Sequence, residues 1–238
     1  MLWLSRKDIE HISRRLLRDY LKKAPQKIDH IDPVDFAEKM CGLQFTFADI
    51  SEAHDAIGLT ATSGVIITIP QRDGTKLDYE LDGKTAFIDQ SLVAENQIGR
   101  LNFTMMHEAA HQLFWMLYPE ECEVQTPRCI FRMADEHTQY PVLNWEEWQT
   151  NVLTSFLLLP KELVYRHMAD VGLKNGISVL NRIYARKDYE RFSEAAKRLG
   201  VSKTALTIRL SQLGLVGRND LYDPYALVDI FPEKNEIA

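Results

Sequence analysis

Cysteine is scarce in this chain. There are three, an odd number without regular spacing, which argues against a disulfide framework and for a reducing compartment. Positive charge is not in excess. A net charge of −6 gives no general pull toward nucleic acid or anionic membrane. Long apolar runs are missing too, and none approaches the length of a membrane span. The opening residues, Met1-Leu2-Trp3-Leu4-Ser5-Arg6-Lys7, turn charged at once and do not read as a secretory signal. These shortages together point to the cytoplasm. What remains is ordinary: 45% apolar and 26% charged residues, as in globular proteins, over 238 residues. That length suits one large domain, or a domain with a small appendage.

One stretch stands out. Leu101 to Trp115 contains His107-Glu108-Ala109-Ala110-His111, an H-E-x-x-H pattern. Residues four apart share one face of an α-helix, separated by about 6 Å of rise. Two imidazoles so placed can reach one zinc ion at about 2.0–2.1 Å. Glu108, one residue on, can take a proton from a metal-held water. The pattern is short, and a chance match is expected on the order of once per hundred such chains. The bland alternative is a buried helix whose histidines are merely hydrogen-bonded. Context weighs against it. The helix is expected from about Leu92 or Ala94 to Pro119, with Met106, Ala110, Leu113 and Leu117 on one apolar stripe and Met105, Ala109 and Met116 on another. A helix apolar on most sides is buried. Unpaired His and Glu in such a place would cost several kcal/mol, a difficulty that a shared metal removes.

Upstream, residues 5–23 form an amphipathic pattern, with Ile9, Ile12, Leu16, Leu17, Tyr20 and Leu21 at helical spacing. A second helix is expected at Pro33–Met40, with Pro33 in its first turn and Gly42 as its stop. Leu43–Phe47, Gly64–Ile69 and Thr85–Ile88 read as strands, with turns at Asp73-Gly74 and Asp82-Gly83. They predict a small antiparallel sheet ahead of the His107 helix. One of its edge strands would be placed to pair with an extended substrate. Residues 118–142 read as a long irregular connection, either a functional rim or a tolerated insertion. Cys122 and Cys129 lie in it, without the further ligands a second metal site needs.

A second helix of interest runs from Asn144, a capping residue, to the stop at Pro160. Glu147 and Asn151 share one of its faces. A catalytic zinc keeps three protein ligands and one open position. A carboxylate from this helix completes that count, with Glu147 favoured and Glu146 as competitor, or Glu147 is only a solvated cap. Asn151 could bond the outer nitrogen of a ligating histidine.

Taken together the two helices resemble those of the ImmA/IrrE metallo-endopeptidases. That family carries F-T-x-x-H-E-x-x-H followed by E-x-x-A-N-x-F-A-A-x-L-L-M-P. This chain has Phe103-Thr104-Met105-Met106-His107-Glu108-Ala109-Ala110-His111. It then has Glu147-Trp148-Gln149-Thr150-Asn151-Val152-Leu153-Thr154-Ser155-Phe156-Leu157-Leu158-Leu159-Pro160. Ile28-Asp29 before the Pro33 helix and Ile57-Gly58-Leu59 before the Gly64 strand also fit. Thr150, Leu153, Thr154-Ser155 and Leu159 depart from the pattern at packing positions of similar bulk. The resemblance implies Zn²⁺ held by His107, His111 and Glu147, Glu108 as general base, and Asn151 behind the ligands. It implies an α+β fold with a mostly helical, zincin-like core in residues 1–171. It further implies an endopeptidase whose protein substrate is a helix–turn–helix repressor.

After Pro160 the chain changes. Phe192 to Leu215 reads as helix–turn–helix, with Gly200 in the turn and Ser202 capping the second helix. Residues 172–218 are therefore expected to form a helical module, and 219–238 a loosely ordered tail. Between Arg182 and Arg218 nine Lys/Arg face three acidic residues. That local excess is a mild nucleic-acid signal. Three readings stand: a packing module, a dock for an acidic partner, or a DNA reader. The last gives the rival function, a DNA-binding regulator whose vestigial peptidase domain serves as a sensor. A merely structural zinc is disfavoured, because no fourth ligand is evident. Mn²⁺ or Fe²⁺ in place of zinc stays open. Oxyanion-stabilising candidates near the ligands are His137, Tyr140, Tyr165 and His167, with no choice among them.

Overall fold

A computed structural model describes residues 2–23, 28–71, 73–122, 129–133 and 145–224. Helix α1 (Arg6–Lys23) starts where Ser5 and Asp8 cap each other: Ser5 N and Oγ donate to Asp8 Oδ2, and Asp8 N donates back to Ser5 Oγ. Ile9, Leu16, Leu17 and Tyr20 turn inward. Helix α2 (Pro33–Cys41) opens on Asp32, whose carboxylate accepts from Val34 N and Asp35 N. It stops at Gly42, held at φ +68°, a conformation that only glycine adopts without steric cost.

Five strands follow before the motif helix: β1 (Gln44–Ala48), β2 (Ala56–Ala61), β3 (Ser63–Pro70), β4 (Lys76–Asp82) and β5 (Thr85–Asp89). Strand β6 (Cys129–Met133) comes later. The main sheet has the order β1-β5-β2-β6. It is mixed, which corrects the expected antiparallel sheet: β1 lies parallel to β5, while β2 runs antiparallel to both β5 and β6. The cause is connectivity. The chain leaves β1, makes β2 and the β3–β4 hairpin, and only then returns as β5 beside β1, so a crossover replaces a hairpin. The hairpin packs its Ile67, Ile69 and Leu81 against Leu59 and Phe87. A second correction concerns residues 118–142, expected to be irregular. Cys129–Met133 forms a strand there because its backbone finds a partner in β2.

Helix α3 (Ile98–Leu117) carries the motif. It begins later than expected, since residues 90–93 and 95–97 form 3-10 turns. Asp89 caps the first of these through Ser91 N. Residues 104–115 of α3 are all buried. One side of α3 meets β2 and the other meets helix α4 (Trp145–Leu158). Asn144, His137 and Tyr140 lie outside the described residues.

Helix α5 (Lys161–Asp170), strand β7 (Ile177–Leu180), helices α6 (Arg186–Arg198) and α7 (Lys203–Gln212), and strand β8 (Val216–Asn219) complete the described chain. The helix–turn–helix pattern is present. Gly200 turns at φ +68°, and Ser202 Oγ accepts from Ala205 N to cap α7. Two strands of this region were not foreseen: β7 and β8 pair in parallel around this helix pair. Residues 225–238 of the expected tail lie outside the described residues. Phe192, Leu199, Leu206 and Leu210 join one apolar cluster with Leu113, Leu153 and Leu157. Each such fully buried side chain contributes roughly 1.5–3 kcal/mol. Three further contacts fix the turn and α7. Asn102 Nδ2 donates to Gly200 O at 2.8 Å, and Arg209 Nε donates to Leu159 O at 2.9 Å. Gly99 touches the turn so closely that a Cβ there would stand 2.4 Å from Ser202 N. The chain is thus mixed α/β, with seven α-helices and small sheets among the described residues. No helix among those residues is long and apolar enough to cross a membrane.

Candidate metal centre

His107 and His111 stand one turn apart on α3, and Glu147 projects from the first turn of α4. The two helices bring their polar atoms to a point. His107 Nε2 and His111 Nε2 are 3.1 Å apart. Glu147 Oε2 lies 3.1 Å from the first, and Oε1 lies 3.1 Å from the second. Three donors on a tetrahedral ion at about 2.0–2.1 Å would be about 3.3–3.4 Å from each other. The observed triangle is close to that size, so this group could bind a metal ion. It offers three protein donors among the described residues, which leaves a tetrahedral ion one open corner.

The charge states of His107 and Glu147 suit a metal ion. Burial and the nearby Arg132 charge push His107 down to about 3, against the pull of Glu147. His107 is therefore neutral at physiological pH. Burial favours a neutral Glu147, but the contact with the two imidazoles outweighs it and holds the carboxyl well below the usual range. Neutral imidazoles and an ionised carboxylate are the forms that ligate metals.

Glu108 is fully buried and faces β2. There Gly58 makes room for it: a Cβ on Gly58 would stand 2.3 Å from Glu108 Oε1 and 2.8 Å from Thr104 Cγ2. Burial, helped by the Glu108 charge, raises the Cys129 thiol to about 11.

Several neighbours were not read from the sequence in these roles. Arg132 on β6 places Nη1 2.6 Å from His107 Nδ1 and donates to Asn151 Oδ1 at 3.3 Å. Its guanidinium lies 5.1 Å over the Phe103 ring. Asn151 was expected to bond a ligating histidine itself; Arg132 stands between. Thr150, taken as a packing position, puts Oγ1 3.4 Å from His111 Nδ1 and donates to Glu146 O at 2.9 Å. Glu146, the competing ligand, reaches only the outer nitrogen of His111, with Oε1 3.9 Å from Nδ1, and accepts from Trp115 Nε1 at 3.4 Å. Only the register of β6 against β2, which pairs Arg132 with Gly58, brings Arg132 here, and no periodicity announces it.

Other candidates fall elsewhere. His167 Nε2 is bonded to Asp29 O at 2.5 Å, and Tyr165 is exposed. Cys41, Cys122 and Cys129 are all free thiols. A second polar group, Asp49, His54 and Asp89, was not anticipated. Its buried member, Asp89, accepts from Ile50 N, Ser91 N and His54 Nδ1 at 2.9–3.1 Å, which makes it a brace for the chain around β5.

Among known proteins, no family model matches this chain and no curated protein matches it.

Proposed function

We propose that the protein is a zinc-dependent endopeptidase with a zincin-like core. What carries this reading is the convergence of His107 Nε2, His111 Nε2 and the Glu147 carboxylate at 3.1 Å, one residue from the buried Glu108. A divalent ion bound there supplies a Lewis acid that polarises a carbonyl and makes water nucleophilic near neutral pH. The chain's own residues do the rest. His107, His111 and Glu147 would hold the ion. The Glu108 carboxylate accepts the proton of the attacking water and returns it to the leaving amide nitrogen. Burial between α3 and β2 keeps that carboxylate in place and away from bulk solvent. Among the described residues strand β6 ends the main sheet next to β2, so its outer side is the place where an extended peptide would pair.

The substrate class rests on the resemblance to ImmA/IrrE peptidases: a regulatory protein, specifically a helix–turn–helix repressor. The free thiols support a reducing compartment, the cytoplasm. Two observations weigh against the rival DNA-binding regulator. The turn that leads into α7, the helix that would enter a DNA groove, is pressed against α3 at Gly99, and Arg209 of α7 is buried over the Phe156 ring at 4.7 Å. The test is incubation of the zinc-loaded chain with a helix–turn–helix repressor encoded beside it. A discrete cleavage product that vanishes with chelator and with Glu108→Gln is expected. An intact repressor, with sequence-specific DNA binding that survives Glu108→Gln, would favour the rival.

A further inference from the structure

We propose that Arg132 is a latch on the metal centre, holding His107 in a tautomer that cannot ligate until the guanidinium withdraws. This rests on the metal-centre reading above. A guanidinium only donates hydrogen bonds. With Arg132 Nη1 2.6 Å from His107 Nδ1, Nδ1 must present its lone pair. A neutral imidazole then carries its proton on Nε2, where Glu147 Oε2 accepts it at 3.1 Å. Nε2 is the nitrogen aimed at the shared centre, so in this state His107 has no lone pair to offer an ion.

The neighbouring histidine is set the other way. The Thr150 hydroxyl gives its proton to Glu146 O, so it can only accept from His111 Nδ1, 3.4 Å away. His111 Nε2 is then left with its lone pair facing the centre. One ligand is armed and the other is locked. The acceptor that would arm His107 is already nearby. Asn151 Oδ1 is occupied by Arg132 at 3.3 Å. When the guanidinium leaves, the His107 proton moves from Nε2 to Nδ1, donates to Asn151, and frees Nε2, with no net proton released. A ligating histidine ordinarily donates its outer N–H to such an acceptor. Arg132 also opposes loading by charge, since a cation behind a ligand repels a dication in front of it. Its mounting permits movement: β6 ends the sheet order and pairs only with β2 among the described residues.

The test needs no substrate. The full chain, stripped of metal, is titrated with Zn²⁺ alone by calorimetry, beside Arg132→Gln and His107→Ala. Arg132→Gln is expected to bind Zn²⁺ at least about tenfold more tightly than the parent, a gain that misfolding cannot produce. Equal or weaker binding by Arg132→Gln would overturn the latch while leaving the metal centre intact. If neither parent nor Arg132→Gln binds Zn²⁺, and His107→Ala changes nothing, the metal-centre reading falls and the latch with it. A second measurement covers the case in which Arg132→Gln does not fold. Nitrogen NMR of the metal-free parent should show His107 protonated on Nε2 and His111 on Nδ1. Protonation of His107 on Nδ1 would contradict the proposal.

Discussion

Gly58 lies so close over Glu108 that a single added carbon would collide with its carboxylate. A Cβ at Gly58 would meet Glu108 Oε1 at 2.3 Å. The nearest atom is the end of a flexible side chain, and Thr104 Cγ2 follows at 2.8 Å, so Gly58→Ala should displace the carboxylate and press on α3 rather than unfold β2. A misplaced general base forfeits on the order of 10²–10⁴ in rate. Gly58→Ala is therefore expected to lower kcat by at least about 10²-fold, with Zn²⁺ affinity near that of the parent. Peptidase kinetics paired with metal titration check this, and an unchanged kcat would separate Gly58 from Glu108's role.

Gly99 poses the opposite case, because what its Cβ would strike is backbone. The nearest atoms are Ser202 N at 2.4 Å and Val201 C at 2.5 Å. Neither can swing aside, so Gly99→Ala must pry the turn before α7 off α3. Such overpacking costs about 1–3 kcal/mol, which in a chain of this size lowers Tm by roughly 2–12 °C. A thermal melt decides it; an unchanged Tm would mean that the two segments are not in contact as described.

Acid should reach the fold through Asp89. Burial alone would raise this carboxyl, but hydrogen bonds from Ser91, His54 and Ile50 outweigh it and hold Asp89 below its ordinary value. A folded-state value below the unfolded one means that the stabilisation is fully present above the unfolded pKa of about 3.9. It is lost as pH falls through the lower folded value. Asp89→Asn should cost about 1–3 kcal/mol at neutral pH and flatten the fall in stability below about pH 4. Denaturant melts across that range test it, and a parallel acid fall in both proteins would rule Asp89 out as its source.

Glu147 and Glu146 are neighbours with different geometry. Glu147 faces both Nε2 atoms at 3.1 Å, whereas Glu146 comes no nearer than 3.9 Å to the outer nitrogen of His111. Glu147→Ala is expected to weaken Zn²⁺ binding by at least about 10²-fold, and Glu146→Ala by about tenfold or less. Metal titration of the two variants should rank them in that order; the reverse order would make Glu146 the ligand.

What the sequence disclosed follows from local rules. The spacing of His107 and His111 on a helix is a matter of turn geometry. The stop at Gly42 and the cap at Ser202 are equally local, since each depends on one residue's conformation or hydroxyl. Strand β2 escaped because all six of its residues are buried, so the alternation that betrays a half-exposed strand is absent. Strand β6 escaped because its partner lies far upstream, and nothing within Cys129–Met133 says that β2 awaits it. Arg132 went with it: a charged residue in an acidic connection reads as solvated until a ladder carries it to His107. Thr150 shows a subtler limit. Its bulk suited a packing position, but its hydroxyl meets His111 only because α4 is rotated to aim Glu147 inward. The parallel pairing of β1 with β5 is likewise topology, invisible to either strand alone.

The most direct test is the metal content of the chain equilibrated with Zn²⁺ and desalted, measured side by side for the parent, Glu108→Gln and Glu147→Ala. The account predicts about one ion per chain in the parent and in Glu108→Gln, and close to none in Glu147→Ala. Equal metal in all three, or none in the parent, would contradict it.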